Sequence, residues 1–341
     1  MAIHLSQSIK EGNKAREQAY KETEARISAF RMAQIVRERE NLTDAPEEIY
    51  EEALKKILSF WEKLTKKESL DFSPLKNIVD SFRKSLKNSE AILINLTRSC
   101  PPENYLPYHS LNVCLISIAL GLGLNWNSKR LQDLGLAALL HDIGMSQISG
   151  EIYLKSGSLG GNERAKINEH PKAGLEMLEK EKGFSENIIQ IVFQHHERSN
   201  GRGYPQKLRG SDIHPGATIV GLADTFEAIT HPRLYHKERL PYEALTELIS
   251  EKVRDFDKNI LKSLIEELTF YPPGTFVELN TGEVAVVEHT SSKYPTRPKV
   301  RVFISEGGEK LEPPREVNLP RERLLYIQRP IFAPAEQRKT G

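Results

Sequence analysis

Several apolar, helix-periodic segments of this chain end in or carry imidazole and carboxylate groups, which restricts it to folds whose helices bring those groups together inside. Leu131, Leu134, Ala138 and Leu139 lead directly into His141-Asp142, and Ile188, Ile189, Ile191 and Val192 precede His195-His196. Asp224 interrupts the small, apolar segment 217–229, and His109 heads a helix with Val113, Ile116 and Ala119. His170 stands immediately before Pro171. Apolar residues at helical spacing form a face that packs inward, so these polar groups are carried inward too. Buried without partners, each would cost roughly 1–3 kcal/mol. Imidazole and carboxylate are ligands for hard-to-borderline metals. The donors His109, His141, Asp142, His170, His195, His196 and Asp224 are too many for one tetrahedral ion and suit two. Successive residues of a helix point about 100° apart, so His195 and His196 are expected to divide between the two ions. Asp142 is expected to bridge them.

The remaining chain surrounds this stretch with more helix and then changes period. Residues 1–100 read as a helical accessory region, with a helix start at Thr43–Glu48 and apolar stripes through Ile49, Ala53, Ile57, Phe60 and Leu64, then Leu75, Ile78, Val79, Phe82 and Leu86. A homodimer through these helices is expected. Residues 101–270 form an all-α domain. Within it, 145–162 read as a loop, and Asn162 caps a helix that stops at His170-Pro171 because the residue before proline is pushed out of the helical region. Residues 271–328 alternate apolar and polar positions around the turns Asn280-Thr281-Gly282 and Gly307-Gly308, giving a small β-rich appendage of three to five strands. Residues 329–341 form a flexible tail. The fold class is therefore mainly α.

Net charge is +1, so no overall field recruits polymeric nucleic acid or an anionic membrane. An anionic substrate needs a local site. The two cysteines, Cys100 and Cys114, have no metal-type spacing and build no disulfide framework. The longest apolar run, Cys114 to Leu124, is too short to span a bilayer, and no signal-like segment opens the chain. A cytoplasmic location is expected.

His141-Asp142-Ile143-Gly144, Glu169-His170-Pro171 and the run from His195-His196-Glu197 through Gly203-Tyr204-Pro205 resemble the HD-GYP family, a branch of the HD metal-dependent phosphohydrolases. The resemblance covers about residues 103–265. It implies an HD-type helical domain with a cyclic-di-GMP phosphodiesterase activity, giving linear pGpG and often GMP, through in-line attack of a hydroxide held between two divalent ions, iron or manganese. The family's ligands fall on His109, His141, Asp142, His170, His195, His196 and Asp224. Tyr105 stands where members with a third metal carry glutamate, and Glu103 lies two residues before it. Asp142 orients the ions, and Arg233 steadies the phosphate. Gly203, Tyr204, Pro205, Glu227 and His236 complete the substrate side, where Glu227 replaces the usual aspartate and His236 a basic residue. Met145 stands where lysine is usual, and Asn200 where aspartate is common. The Gly-Tyr-Pro loop is expected to contact diguanylate cyclase (GGDEF) domains as well. Two alternatives follow: a cyclic-dinucleotide sensor or scaffold with weak turnover, motivated by Met145 and His236, and an HD-type nucleotidase acting on another phosphoester.

Overall fold

A computed structural model describes residues 46–88, 104–153, 155, 157, 160–230, 241–250, 255–268, 270–271, 273–291 and 293–331. Residues 1–45 and 89–103, which include Thr43, Cys100 and Glu103, and the residues Arg233 and His236, on which expectations rest, lie outside these. The chain forms two compact units that part at Glu267/Leu268.

The helical unit opens with α1 (Pro46–Thr65) and α2 (Ser73–Asn88). Proline is tolerated at the start of α1 because the first-turn N–H has no helical partner. Tyr50, Ala53, Ile57, Phe60 and Leu64 of α1 and Leu75, Ile78, Val79 and Phe82 of α2 are buried, and both helices pack on α3 (Tyr105–Gly123). Among the described residues, α3 is the one helix long and apolar enough to cross a membrane, yet 83% of that window is buried inside the unit. An all-round apolar helix enclosed by others is a core helix, and α1, α2, α4 (Ser128–Leu140) and α9 (Pro215–Thr230) supply its walls. Asn127 caps α4, accepting from the Arg130 N–H at 3.0 Å.

Two local expectations are corrected between α4 and α9. The segment after His141-Asp142 is ordered into a 3-10 turn, Ile143–Gln147, and a short helix α5 (Gly150–Tyr153). The next helix, α6 (Gly161–Ile167), is capped at Gly160, whose N–H donates to the Glu163 carboxylate at 2.7 Å. It ends before His170, and His170 opens a further helix, α7 (His170–Lys180), with Pro171 in its first turn. Proline here starts a helix instead of ending one. A Cβ on Gly144 would sit 2.1 Å from the His170 carbonyl oxygen and 2.7 Å from the Gly174 nitrogen, so only glycine lets the 3-10 turn lie on α7. Helices α8 (Glu186–Gln194), α9, α10 (Pro241–Ser250) and α11 (Lys258–Leu268) complete the series. Ser185 caps α8, accepting from the Ile188 N–H at 3.4 Å; Ile188, Ile191 and Val192 are buried, while Ile189 is only half-buried.

The second unit is a five-stranded antiparallel sheet: β1 (Phe276–Leu279), β2 (Val284–His289), β3 (Lys299–Ile304), β4 (Lys310–Asn318) and β5 (Ile327–Ile331), in the order β4-β3-β2-β1-β5. The alternation of β3 buries Val300, Val302 and Ile304. Strand β2 is apolar on both faces: Ala285 and Val287 are buried, and Val286 joins Phe276, Phe303 and Ile331 in a second cluster. That cluster needs β5. Its Ile331 pairs with Phe276, so the chain remains in strand where a tail from 329 was expected.

Candidate metal centre

Helix α4 is apolar to its last residue, so it ends inside the protein and delivers His141 there as its C-cap. Helix α8 does the same with His195. Three rings use one brace: Nδ1 faces the carbonyl of the third residue before it, His141 to Ala138 at 2.8 Å, His170 to Ile167 at 2.7 Å and His195 to Val192 at 2.6 Å. A carbonyl only accepts, so Nδ1 carries the hydrogen and a neutral ring presents a bare lone pair at Nε2. His109, on α3, is braced by a side chain instead: its Nδ1 lies 2.5 Å from Glu227 Oε2.

The Nε2 atoms converge. His170 meets His195 at 3.2 Å and His141 meets His109 at 3.3 Å. The two carboxylates divide between the pairs. Asp142 Oδ1 lies 3.1 Å from His170 and 3.9 Å from His195, whereas its Oδ2 lies 3.5 Å from His141 and 3.7 Å from His109. Asp224 Oδ1 is 3.2 Å from His109, and its Oδ2 is 3.8 Å from His196 Nδ1. Two donor groups result, Asp142 with His170, His195 and His196, and Asp142 with His109 and His141. All seven sequence-selected donors thus line one pocket.

His195 and His196 fall in the same group, with ring centroids 4.1 Å apart, which corrects the expected division. The 100° rule applies inside a helix, but α8 stops at Gln194. His195 caps it and His196 lies beyond, free to turn its Nδ1 inward.

Two facing lone pairs repel unless positive charge lies between them. Burial disfavours the imidazolium of His141, His195 and His196 and holds all three below the ordinary value, His195 at about 3. Burial also acts against His109 and His170, but the carboxylates outweigh it. Glu227 and Asp224 raise His109 to about 10, and Asp142 raises His170. Asp142 and Asp224 are held well below the carboxylate range by these imidazoles, despite the opposing effect of burial. The site therefore favours positive charge among its nitrogens. Charged carboxylates and neutral imidazoles braced through their other nitrogen are the forms that bind metal, so this donor set fits divalent cations.

Beyond the ligands, the structure corrects one assignment and adds residues. Glu227, expected on the substrate side, is buried behind His109; its Oε1 accepts from Asn112 Nδ2 at 3.1 Å, and Asn112 Oδ1 accepts from the Tyr50 hydroxyl at 2.7 Å. Tyr105 stacks on the His109 ring at 5.2 Å. Met145 is buried. In the Gly-Tyr-Pro loop, Tyr204 stacks on His196 with centroids 4.7 Å apart. Gly203 is buried so tightly that a Cβ would come within 2.4–2.5 Å of the backbone of His196, Glu197 and Arg198. Pro205 follows a cis bond, half-buried. Glu197, which sequence reasoning passed over, anchors the loop: Oε1 accepts from the N–H of Gln206 at 2.5 Å and Lys207 at 3.0 Å, and Oε2 from Leu208 at 3.0 Å. Arg198 donates to the His195 and Glu197 carbonyls at 3.0 and 2.9 Å, and Asn200 donates to Asp255 at 2.5 Å. An acid inside a polar run next to two histidines gives no sequence signal that separates an anchor from a solvated charge.

A family model described as an HD domain matches residues 81–260, and one described as a KOW domain associated with HD domains matches residues 276–339. The cyclic di-GMP phosphodiesterase PA4108 of Pseudomonas aeruginosa is 30% identical over 254 residues, covering 74% of this chain and 61% of that protein. The cyclic di-GMP phosphodiesterase PdeB of Borreliella burgdorferi is 29% identical over 204 residues, covering 60% and 54%. The chain therefore spans little more than half the length of these relatives. Among solved structures, Bd1817, an HDG"Y"P protein from Bdellovibrio bacteriovorus, superposes with a TM-score of 0.54 at 22% identity over 75% of this chain and 77% of that one, a likeness of fold.

Proposed function

The chain belongs to the HD domain family, and from that premise we propose that it is a cyclic di-GMP phosphodiesterase of the HD-GYP type, with 101–270 as its catalytic domain, 1–100 as an accessory helical region and the β-rich appendage from 271 extended through β5 to Ile331. One observation carries the reading: Asp142 turns one oxygen to each of two histidine groups, beside a loop bearing the Gly-Tyr-Pro signature.

His109, His141, Asp142, His170, His195, His196 and Asp224 would hold two divalent ions, with iron or manganese suited to this nitrogen and oxygen donor set. Bound there, such ions supply the acidified water and the charge neutralisation that an in-line phosphoryl displacement requires. The protein's own groups do the rest. Asp142 and Asp224 stay ionised and would supply the carboxylate oxygens for such ions. The imidazoles of His141 and His195, which burial holds below the ordinary value, stay neutral. Tyr204, stacked on His196, offers the remaining edge of its ring and its hydroxyl to a nucleobase, with Gly203 and Pro205 setting its position. Arg233 offers a bidentate phosphate donor, supported by His236. The same loop is the surface for a diguanylate cyclase domain, and the N-terminal helices for a second copy, in a cytoplasmic protein.

Anaerobically purified protein loaded with iron or manganese should convert cyclic di-GMP to the linear dinucleotide, resolved by chromatography. Metal-loaded protein that leaves cyclic di-GMP intact sinks this reading. Met145 favours one alternative: it brings a buried thioether where a phosphate-binding lysine is usual, which suits a sensor that binds the dinucleotide and turns it over poorly. Binding without product would establish that alternative, and turnover of a different phosphoester in a substrate panel would establish an HD nucleotidase.

A further inference from the structure

Helix α1 contributes none of the seven donors, and Tyr50 lies ahead of the span matched by the HD domain model. Yet the Tyr50 hydroxyl feeds a buried hydrogen-bond chain that finishes on a metal-type ligand: Tyr50 to Asn112 at 2.7 Å, Asn112 to Glu227 at 3.1 Å, and Glu227 to His109 at 2.5 Å. The four side chains are all buried.

The chain has a direction. Asn112 presents an oxygen at one end of its amide and a nitrogen at the other, and only one orientation serves both neighbours. With the Tyr50 hydroxyl donating to Oδ1, Nδ2 must face Glu227 and donate to it. Glu227 then accepts twice, once from Asn112 and once from His109 Nδ1. That leaves His109 Nε2 as the nitrogen aimed at Asp224 and Asp142, 3.2 and 3.7 Å away. If the amide turned over, its oxygen would confront the Glu227 carboxylate, and the brace on His109 would loosen.

We infer that Tyr50 and Asn112, together with Glu227, are positioning residues for His109, so that helix α1 of the accessory region sets the quality of one of the two metal positions. The inference rests on the metal-centre reading and not on the identity of the substrate. Outer groups that orient a ligating histidine change metal affinity by 10–100-fold.

Tyr50→Phe is a clean probe, because the ring that stacks on Phe82, with centroids 6.4 Å apart, is kept and only the hydroxyl is lost. Mn(II) affinity of the full chain, measured by competition with a chromophoric chelator, should fall about three- to tenfold at one of two positions in Tyr50→Phe, and about 10–100-fold in Glu227→Gln. Phe82→Leu, which disturbs the packing and spares the chain of hydrogen bonds, should lower the melting temperature and leave Mn(II) affinity at the wild-type value. Adding Tyr50→Phe to Glu227→Gln should lower the affinity no further, since the chain is already cut. Wild-type affinity in Tyr50→Phe would overturn the inference, as would an equal loss in Phe82→Leu at a matched fall in melting temperature. Protein that binds Mn(II) in this pattern but leaves cyclic di-GMP intact would refute the proposed activity and leave the inference standing.

Discussion

The two donor groups around Asp142 are built from the same residue types but held in different ways. In the group of His170, His195 and His196, both His170 and His195 are braced by backbone carbonyls three residues back. In the group of His109 and His141, one ring has that brace and the other leans on Glu227. A brace made by a helix's own backbone cannot be removed by substituting another residue. A brace made by a carboxylate can be removed, tuned or linked to a distant helix, as Asn112 and Tyr50 link this one. One half of the centre is fixed by folding alone, and the other is open to adjustment.

The largest expected effect breaks the comparison altogether. Asp142→Ala removes the donor common to both groups, so metal content should fall to near none, and affinity by more than about a hundredfold, above the usual outer-group loss. Elemental analysis checks this, and one ion retained at full affinity would show that the groups do not depend on a common bridge.

Acidity sharpens the contrast next. His109 is raised to about 10 by Glu227 and Asp224 against the pull of burial, so around pH 8 a cation must displace its proton. Affinity at that position should rise with pH by up to about tenfold per unit until pH approaches about 10. The metal-free protein should show the opposite sign. The folded pKa of His109 exceeds its ordinary 6.5, so its contribution to stability is full below that value and is lost as pH rises through about 10. Mn(II) titrations and thermal melts across pH 6–10 read both slopes, and a pH-independent affinity would count against the braced imidazolium.

Gly144→Ala tests the backbone-braced half. The new Cβ would overlap the His170 carbonyl and the Gly174 nitrogen, neither of which is a flexible side-chain end, so a loss of about 3 kcal/mol is expected, the upper range for overpacking. The melting temperature should drop and the metal position nearest His170 should weaken first. The smallest effect is expected from Glu197→Gln. The amide keeps one acceptor for Gln206 and Lys207 and loses the Leu208 bond, a change of about 1 kcal/mol. KM should rise with metal content intact; loss of metal instead would mean that the loop and the centre are one structure.

Much of this was legible in the residues because burial and chemistry pulled against each other there. An apolar helix that ends in His141-Asp142 states both that its end is inside and that something must satisfy it. The five strands were legible from alternation and turns, but β5 was cut short because Arg329 and Pro330 interrupt the pattern, while Ile331 is placed by its partner Phe276. Pro171 misled because proline before a helix and proline after one read alike without knowing which side is packed. His195 and His196 misled for a related reason: periodicity does not mark the residue at which α8 stops. Glu227 was misplaced because a carboxylate three residues beyond a ligand shares its helix face, and sequence does not say whether that face looks outward to substrate or backward to His109. The partners that decide it, His109 and Asn112, are 118 and 115 residues away.

His141 and His195 cap the very helices that deliver them. The ring that turns Nε2 to the centre also satisfies a last-turn carbonyl that α4 or α8 would otherwise expose. Opening the end of either helix therefore releases a ligand, and holding the ligand suppresses that opening. Cation binding should register as slowed amide exchange of the backbone that packs these helix ends in place, by an amount set by free-ion concentration over Kd. The last turns of α4 and α8 thus serve as a gauge of site occupancy, readable without substrate.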